Sequence, residues 1–208
     1  MSSIVRLLVF LAFFCFLSCA SIEKRPYFVS EKFSSVAETS VVVLPFDNES
    51  VDLDSERYMR DEVIKKLASL GYTPLSSGYV DEKLKEMGIS DGGQLKAYKT
   101  TEIASKLACR IVVYGTIENY VFQNLGFLVR KKAELYLKAQ DGYDGSTLYE
   151  GFGSGDDSKI YTNKKEAEAA FFINSGVKLI SNISNKNLLM GKAVEKAVDK
   201  ALEKFPKR

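Results

Sequence analysis

Val41-Val42-Val43-Leu44-Pro45-Phe46-Asp47-Asn48-Glu49-Ser50 passes from four apolar residues, three of them β-branched, through a proline into a polar run. A strand with one wet face alternates apolar and polar, so the unbroken run reads as a strand covered on both faces. Pro45 has no N–H to give a central ladder and ends it. Residues 46–50 then form a loop at the strand's carboxyl end. A strand buried on both sides needs helices, and the next residues supply them. Met59, Val63, Leu67 and Leu70 recur at helical spacing over 55–70. Asp54 or Ser55 can cap that helix, Glu56 sits where the helix dipole favours an anion, and Gly71 is a left-handed stop.

Outward from there, Tyr72–Leu75 is a short strand. Val80–Met87 is a helix closed by Gly88, and Thr101–Ala108 is another, with Ile103 and Leu107 one turn apart. Ser90-Asp91-Gly92-Gly93 lacks the Gly-Lys-Ser/Thr of a phosphate loop and reads as a flexible turn. The period then changes. Residues 110–122 begin as an apolar strand and become mixed, and Asn124-Leu125-Gly126 turns. In Lys132–Ala139 the alternation is clean: Ala133, Leu135, Leu137 and Ala139 on one face, Lys132, Glu134, Tyr136 and Lys138 on the other. Asp141–Gly145 is a turn without the spaced oxygen ligands of a calcium loop, and Thr147–Gly153 is a third strand. Together these make an antiparallel meander. Helices close the chain: 164–183, loosened at Gly176, then a stripe of Leu189, Ala193, Ala197, Ala201 and Phe205 beside Met190, Val194, Val198 and Leu202. The default place for that stripe is the domain's own sheet. The expected fold class is α/β, a mixed sheet with packed helices, a meander in its second half and carboxyl-terminal helices.

The amino terminus carries an address. Arg6 precedes an apolar run from Leu7 to Leu17, within the ~7–15 residues of a secretory signal and short of the ~20 of a spanning helix. Phe16-Leu17-Ser18-Cys19 resembles a bacterial lipobox, which implies acylation of Cys19. Cys15 follows bulky Phe14 and is rejected. Ala20, not being aspartate, implies the outer membrane, facing the periplasm. The expected organisation is a signal over 1–18, a lipidated tether over 19–39 with docking points at Tyr27, Phe28 and Phe33, and one α/β domain over 40–208.

Composition narrows the chemistry. The 29 basic and 27 acidic residues nearly cancel, so there is no global field for nucleic acid. The absence of histidine removes Ser-His-Asp and Cys-His catalysis and the commonest zinc ligand. With the leader removed, Cys109 is the one unmodified thiol, so no intramolecular disulfide is expected, and its apolar neighbours make it a buried, inert cysteine. No catalytic residues, cofactor or metal are expected.

Val41–Ser50 resembles the opening of the TolB-amino-terminal/CsgG-like domains, and Ile103–Ile117 resembles their second signature, a helix running into a strand that carries a glycine. Residues 79–91 are closer to one branch, bacterial lipoproteins of the neisserial GNA type, a domain of unknown function. Cys109-Arg110 stands where those relatives commonly carry an aspartate. The resemblance implies helices on a mixed sheet and a non-enzymatic subunit or accessory of an envelope secretion, export or surface-assembly complex of curli or polysaccharide type. The alternative it implies is a regulator of a peptidoglycan synthase. Expected partners are the bilayer through Cys19, envelope proteins including a CsgG-like assembly, and further copies of the chain. Contact candidates are Asp47, Asn48 and Glu49 at the strand's end and Tyr136 and Lys138 on the meander.

Overall fold

The computed structural model describes residues 27–208 apart from 126, 161, 164 and 166–183, with backbone alone over 184–188. Cys19 and, apart from Lys165, the expected helix 164–183 lie outside the described residues. The elements are β1 (Phe28–Val29), α1 (Glu31–Ser35), β2 (Ser40–Val43), β3 (Asp47–Asn48), α2 (Ser55–Ser69), β4 (Thr73–Pro74), α3 (Ser77–Glu86), a 3-10 helix (Gly92–Ala97), α4 (Thr100–Leu107), β5 (Ile111–Asn124), β6 (Leu128–Asp141), β7 (Thr147–Asp156), β8 (Lys159–Ile160) and α5 (Ser184–Ala201).

The strands form one mixed sheet in the order β1-β7-β6-β5-β2-β4, with β3 on β5 and β8 on β6. β2 runs parallel to β4 and β5, while β5, β6, β7 and β1 are successively antiparallel. Pro45 interrupts the ladder as expected. Leu44 N still donates to Val113 O, and pairing resumes as β3 opposite Thr116 and Ile117. The unbroken apolar run is explained by its neighbours. Val41 and Val43 face α2 and α5, and Val42 and Leu44 face α3, the 3-10 helix and α4.

The core is therefore double. On one face Val113, Ile117, Tyr120, Ala133, Leu135, Leu137 and Ala139 lie under α2 and α5. The four alternating residues of β6 are all buried, and their partners Lys132, Glu134, Tyr136 and Lys138 are half-buried. The other helical layer covers only β2 and the start of β5, where Val112 and Cys109 pack among Val80, Leu84, Ile103 and Leu107. The β6–β7 part of that face carries no helix among the described residues.

The stripe on α5 packs on the chain's own sheet. The helix ends at Ala201, and Phe205, expected within it, is buried beyond a turn. Gly71 and Gly88 take positive φ at helix ends, and so, unforeseen, does Ala108 at the end of α4. Asp54 occupies the cap position of α2 without a side-chain bond, and Ser55 Oγ turns back to Asp52 O.

The stretch read as tether is packed from residue 27 onward. Phe33 and Val36 are fully buried, Tyr27 Oη donates to Lys200 O, and Phe28 stays exposed on β1. Charge holds this segment to the meander: Lys32 pairs with Asp144 and with fully buried Asp141, which also accepts from Arg110. Burial opposes ionisation of Asp141, yet hydrogen bonds from Arg110, Lys32 and Tyr143 N outweigh it and lower its pKa. Arg110 reaches Glu38 with its other arm, so this one side chain ties the start of β5, the β6–β7 turn and residue 38 together.

Cys109 is buried, and desolvation pushes its thiol up to about 11. It is a neutral packing group at physiological pH. Alkylation by iodoacetamide at neutral pH is expected to track global unfolding measured by circular dichroism. Rapid labelling of the native protein would contradict this.

Candidate functional site

The site follows from where the second helical layer stops. At its margin a cleft of about 360 Å³ opens between the 3-10 helix, the start of α4 and the outer face of β5 and β6. Register brings its floor together. Tyr114 lies opposite Lys138, Thr116 opposite Tyr136, and the row continues to Glu150 and Phe152 on β7. Because alternate residues share a face, these form two adjacent rows across three strands.

Two glycines shape the wall. A Cβ on Gly115 would stand 2.5 Å from Cε1 of Phe46, so the strand can accept that ring only at a glycine. A Cβ on Gly92 would collide with the backbone of Phe46 and lie 2.5 Å from Asp47 N. The Asp91-Gly92-Gly93 stretch is thus not the flexible turn expected from sequence. Gly92 is buried in close contact with the loop after β2, and Asp91 caps the 3-10 helix by accepting from Gln94 N. Sequence alone does not reveal a glycine required by a distant backbone.

Much of the polar lining is paired. Thr100 Oγ1 bonds the Tyr114 hydroxyl at 2.9 Å and donates to Gln140 Oε1 at 2.7 Å. Asp47 pairs with Lys96 at 2.6 Å, and Lys138 with Glu150 at 3.6 Å. Burial raises the pKa of Tyr114, opposed by its bond to Thr100, so its hydroxyl stays protonated at neutral pH. Among the described residues no group of three or more His, Cys, Asp or Glu is arranged to hold a metal. The constellation can offer aromatic surface, hydroxyls and two ion pairs to a ligand.

Of the residues expected as contacts, Asp47, Tyr136 and Lys138 line this one cleft. Asn48 turns inward. Its amide nitrogen donates to Asp52 O and Ser55 Oγ, and its oxygen accepts from Ser50, bracing the loop that carries exposed Glu49, Val51 and Leu53. Tyr98, Thr100, Tyr114 and Gln140 were not anticipated. The signal for Tyr114 was present, since Tyr114 and Thr116 alternate with buried Val113 and Gly115, but the valine run before them masks the period.

Comparison with known proteins accords with this architecture. Residues 30–202 match the family described as "Putative lipoprotein GNA1162-like". A curated relative, the lipoprotein NMB1124/NMB1162 of Neisseria meningitidis serogroup B, is 25% identical over 140 residues, which are 66% of this chain and 64% of the relative. The chain therefore spans less than two thirds of that protein's length. The crystal structure of lipoprotein GNA1162 from Neisseria meningitidis is similar at a TM-score of 0.54 and 20% identity, covering 68% of this chain and 97% of that one. A PelC dodecamer from Paraburkholderia phytofirmans is similar in fold at a TM-score of 0.50 and 12% identity, covering 82% of this chain and 90% of its own. With the family match running from the residue after β1 to just past the end of α5, this chain belongs to the GNA1162-like lipoprotein family.

Proposed function

We propose that this protein is a non-enzymatic lipoprotein, held at the periplasmic face of the outer membrane by acylated Cys19. It acts as a subunit or accessory of an envelope secretion, export or surface-assembly complex, and it works by binding. The observation that carries the reading is the juxtaposition of the cleft with the side-chain rows of β5, β6 and β7, over which no helix lies among the described residues. Partly buried Tyr114, Tyr136 and Phe152 adjoin the Lys138–Glu150 pair on a three-strand platform. Aromatic side chains with few rotatable bonds, beside charges that fix orientation, are the usual anchors of protein interfaces. Thr100, Tyr114, Gln140, Asp47, Lys96 and Lys138 are each engaged with another side chain, which favours a recognition surface over an activated nucleophile or base.

The test is a photo-crosslinking amino acid placed at Tyr136 in intact cells, with exposed Arg57 on α2 as the control position. A discrete higher-mass adduct from position 136, weak or absent from 57, is the expected result. Recovery of monomer alone from both positions would overturn the proposal.

A further inference from the structure

The far end of the β5–β6 hairpin is apolar. Leu125 is 58% exposed, Phe127 61% and Ile160 73%. Ile160 belongs to this patch because β8 pairs with the first residues of β6, Ile160 opposite Leu128 and Lys159 opposite Val129. Arg130 and Lys159 are exposed beside it, and Lys131 lies close by, joined to Asp157. Large apolar side chains ringed by cations are the composition of a segment that lies in a lipid headgroup region.

The direction of the chain supplies an independent reason. β1 is antiparallel to β7, which is antiparallel to β6, so β1 runs in the same direction as β6. Phe28 is level with Glu150 and hence with Lys138. From Val29 back to Phe28 the strand therefore moves from the level of Ala139 to that of Lys138, in the sense that leads along β6 toward Leu128 and the apolar tip. The ten residues of β6 between those positions span about 34 Å at ~3.4 Å each. The nine residues from Cys19 to Phe28 reach at most about 30 Å. With the tip pointing at the membrane, an anchor at Cys19 cannot hold the domain far enough away to keep the tip out of the interface.

We infer that the β5–β6 tip, through Leu125, Phe127 and Ile160, is a second membrane contact that seats the domain on the bilayer to which its tether leads. The inference rests on the anchor at Cys19 proposed above. A contact on a domain already tethered to the bilayer acts at high effective concentration, so the tip needs little affinity of its own to fix orientation. In this pose the strand ends near Asp141 and Tyr143 point away from the membrane, and the cleft faces sideways.

The chain has no tryptophan, which makes the test clean. The full lipidated protein carrying Phe127→Trp is reconstituted into phosphatidylethanolamine–phosphatidylglycerol vesicles and isolated by flotation. The control is Tyr143→Trp, a position 73% exposed in the turn at the other end of β6. Expected are a blue-shifted emission at position 127 and quenching by lipids brominated at shallow acyl positions, as for insertion to ~5–10 Å, with position 143 unaffected. Flotation with water-like, unquenched emission at 127 would overturn the tip contact while leaving the anchor standing. A blue shift in native envelopes but not in vesicles would replace the lipid with a protein partner and likewise overturn it. Failure to float would overturn the anchor, and the tip contact with it.

Discussion

Gly153→Val is expected to unseat α5 and abolish cooperative folding. Gly151, Gly153 and Gly155 sit at alternate positions of β7 on the core face, directly beneath Ala201, Ala197 and Ala193. Two strand residues advance about 6.7 Å and four helix residues about 6 Å, so the two small-residue repeats stay in step along the contact. A Cβ on Gly153 would overlap the carbonyl oxygen of Ala197 and stand 2.6 Å from Ala201 N. A Cβ on Gly155 would overlap the Ala193 carbonyl oxygen and stand 2.8 Å from its carbon. The obstacle is helix backbone, which cannot rotate aside as a side chain can. Overpacking a core costs about 1–3 kcal/mol when neighbours can adjust. Here the helix must lift, uncovering Met190, Val194 and Val198, and the loss approaches the ~5–15 kcal/mol of a whole domain. Thermal unfolding followed by circular dichroism measures it. Ala197→Gly in the same chain should give no rescue, because the collision is with the carbonyl. A midpoint within a few degrees of wild type, or recovery on Ala197→Gly, would show that the helix is not seated on the strand.

How much of this was legible in the sequence depended on whether the signal was local. The β2 run, the alternation of β6 and the four-residue stripe of α5 each state a burial pattern within a few residues, and each element formed there, α5 ending at Ala201 short of Phe205. The Gly-x-Gly-x-Gly of β7 also stood in plain view, but its meaning lies in the alanines of a helix some forty residues away. Gly92 and Gly115 are alike in this, since each answers to Phe46. The packing of residues 27–36 was harder still to see. Tyr27, Phe28 and Phe33 read as docking points in a polar stretch, but only the C-terminal aromatics show what Phe33 packs against. Within the site, the contact candidates chosen for their exposed setting divided according to backbone pairing. Asp47, Tyr136 and Lys138 met in one cleft because β3, β5 and β6 are hydrogen-bonded neighbours, whereas the amide of Asn48 was taken up by its own loop.

Phe205→Ala is the second substitution expected to have a large effect, and it probes how the two ends of the domain hold each other. Phe205 is buried, with three aromatic rings edge-on around it: Phe33 at 5.1 Å, Tyr72 at 5.3 Å and Tyr149 at 4.9 Å between centroids. Those rings come from α1, the residue before β4, and β7, so one side chain joins the amino-terminal segment, the sheet edge and the end of the α5 region. Arg208 extends the junction, its guanidinium over Phe33 and Tyr72 and its N–H donated to Leu70 O. Truncating a fully packed phenylalanine costs about 3–5 kcal/mol, and each edge-to-face pair adds ~0.5–1.5 kcal/mol beyond the area buried. At ~2–4 °C per kcal/mol for a chain of this size, the melting midpoint should fall by about 10 °C or more. Packing loss predicts more than a lower midpoint. With its ring partner gone, Phe33 should release first, so limited proteolysis of the folded variant should cut within residues 27–39 before it cuts the sheet. Phe205→Leu refills part of the space and should recover part of the midpoint. An unchanged midpoint in the alanine variant would mean that the ring cluster is not what fastens α1 to the sheet, and cleavage elsewhere first would mean that Lys32 and Asp141 hold the segment unaided.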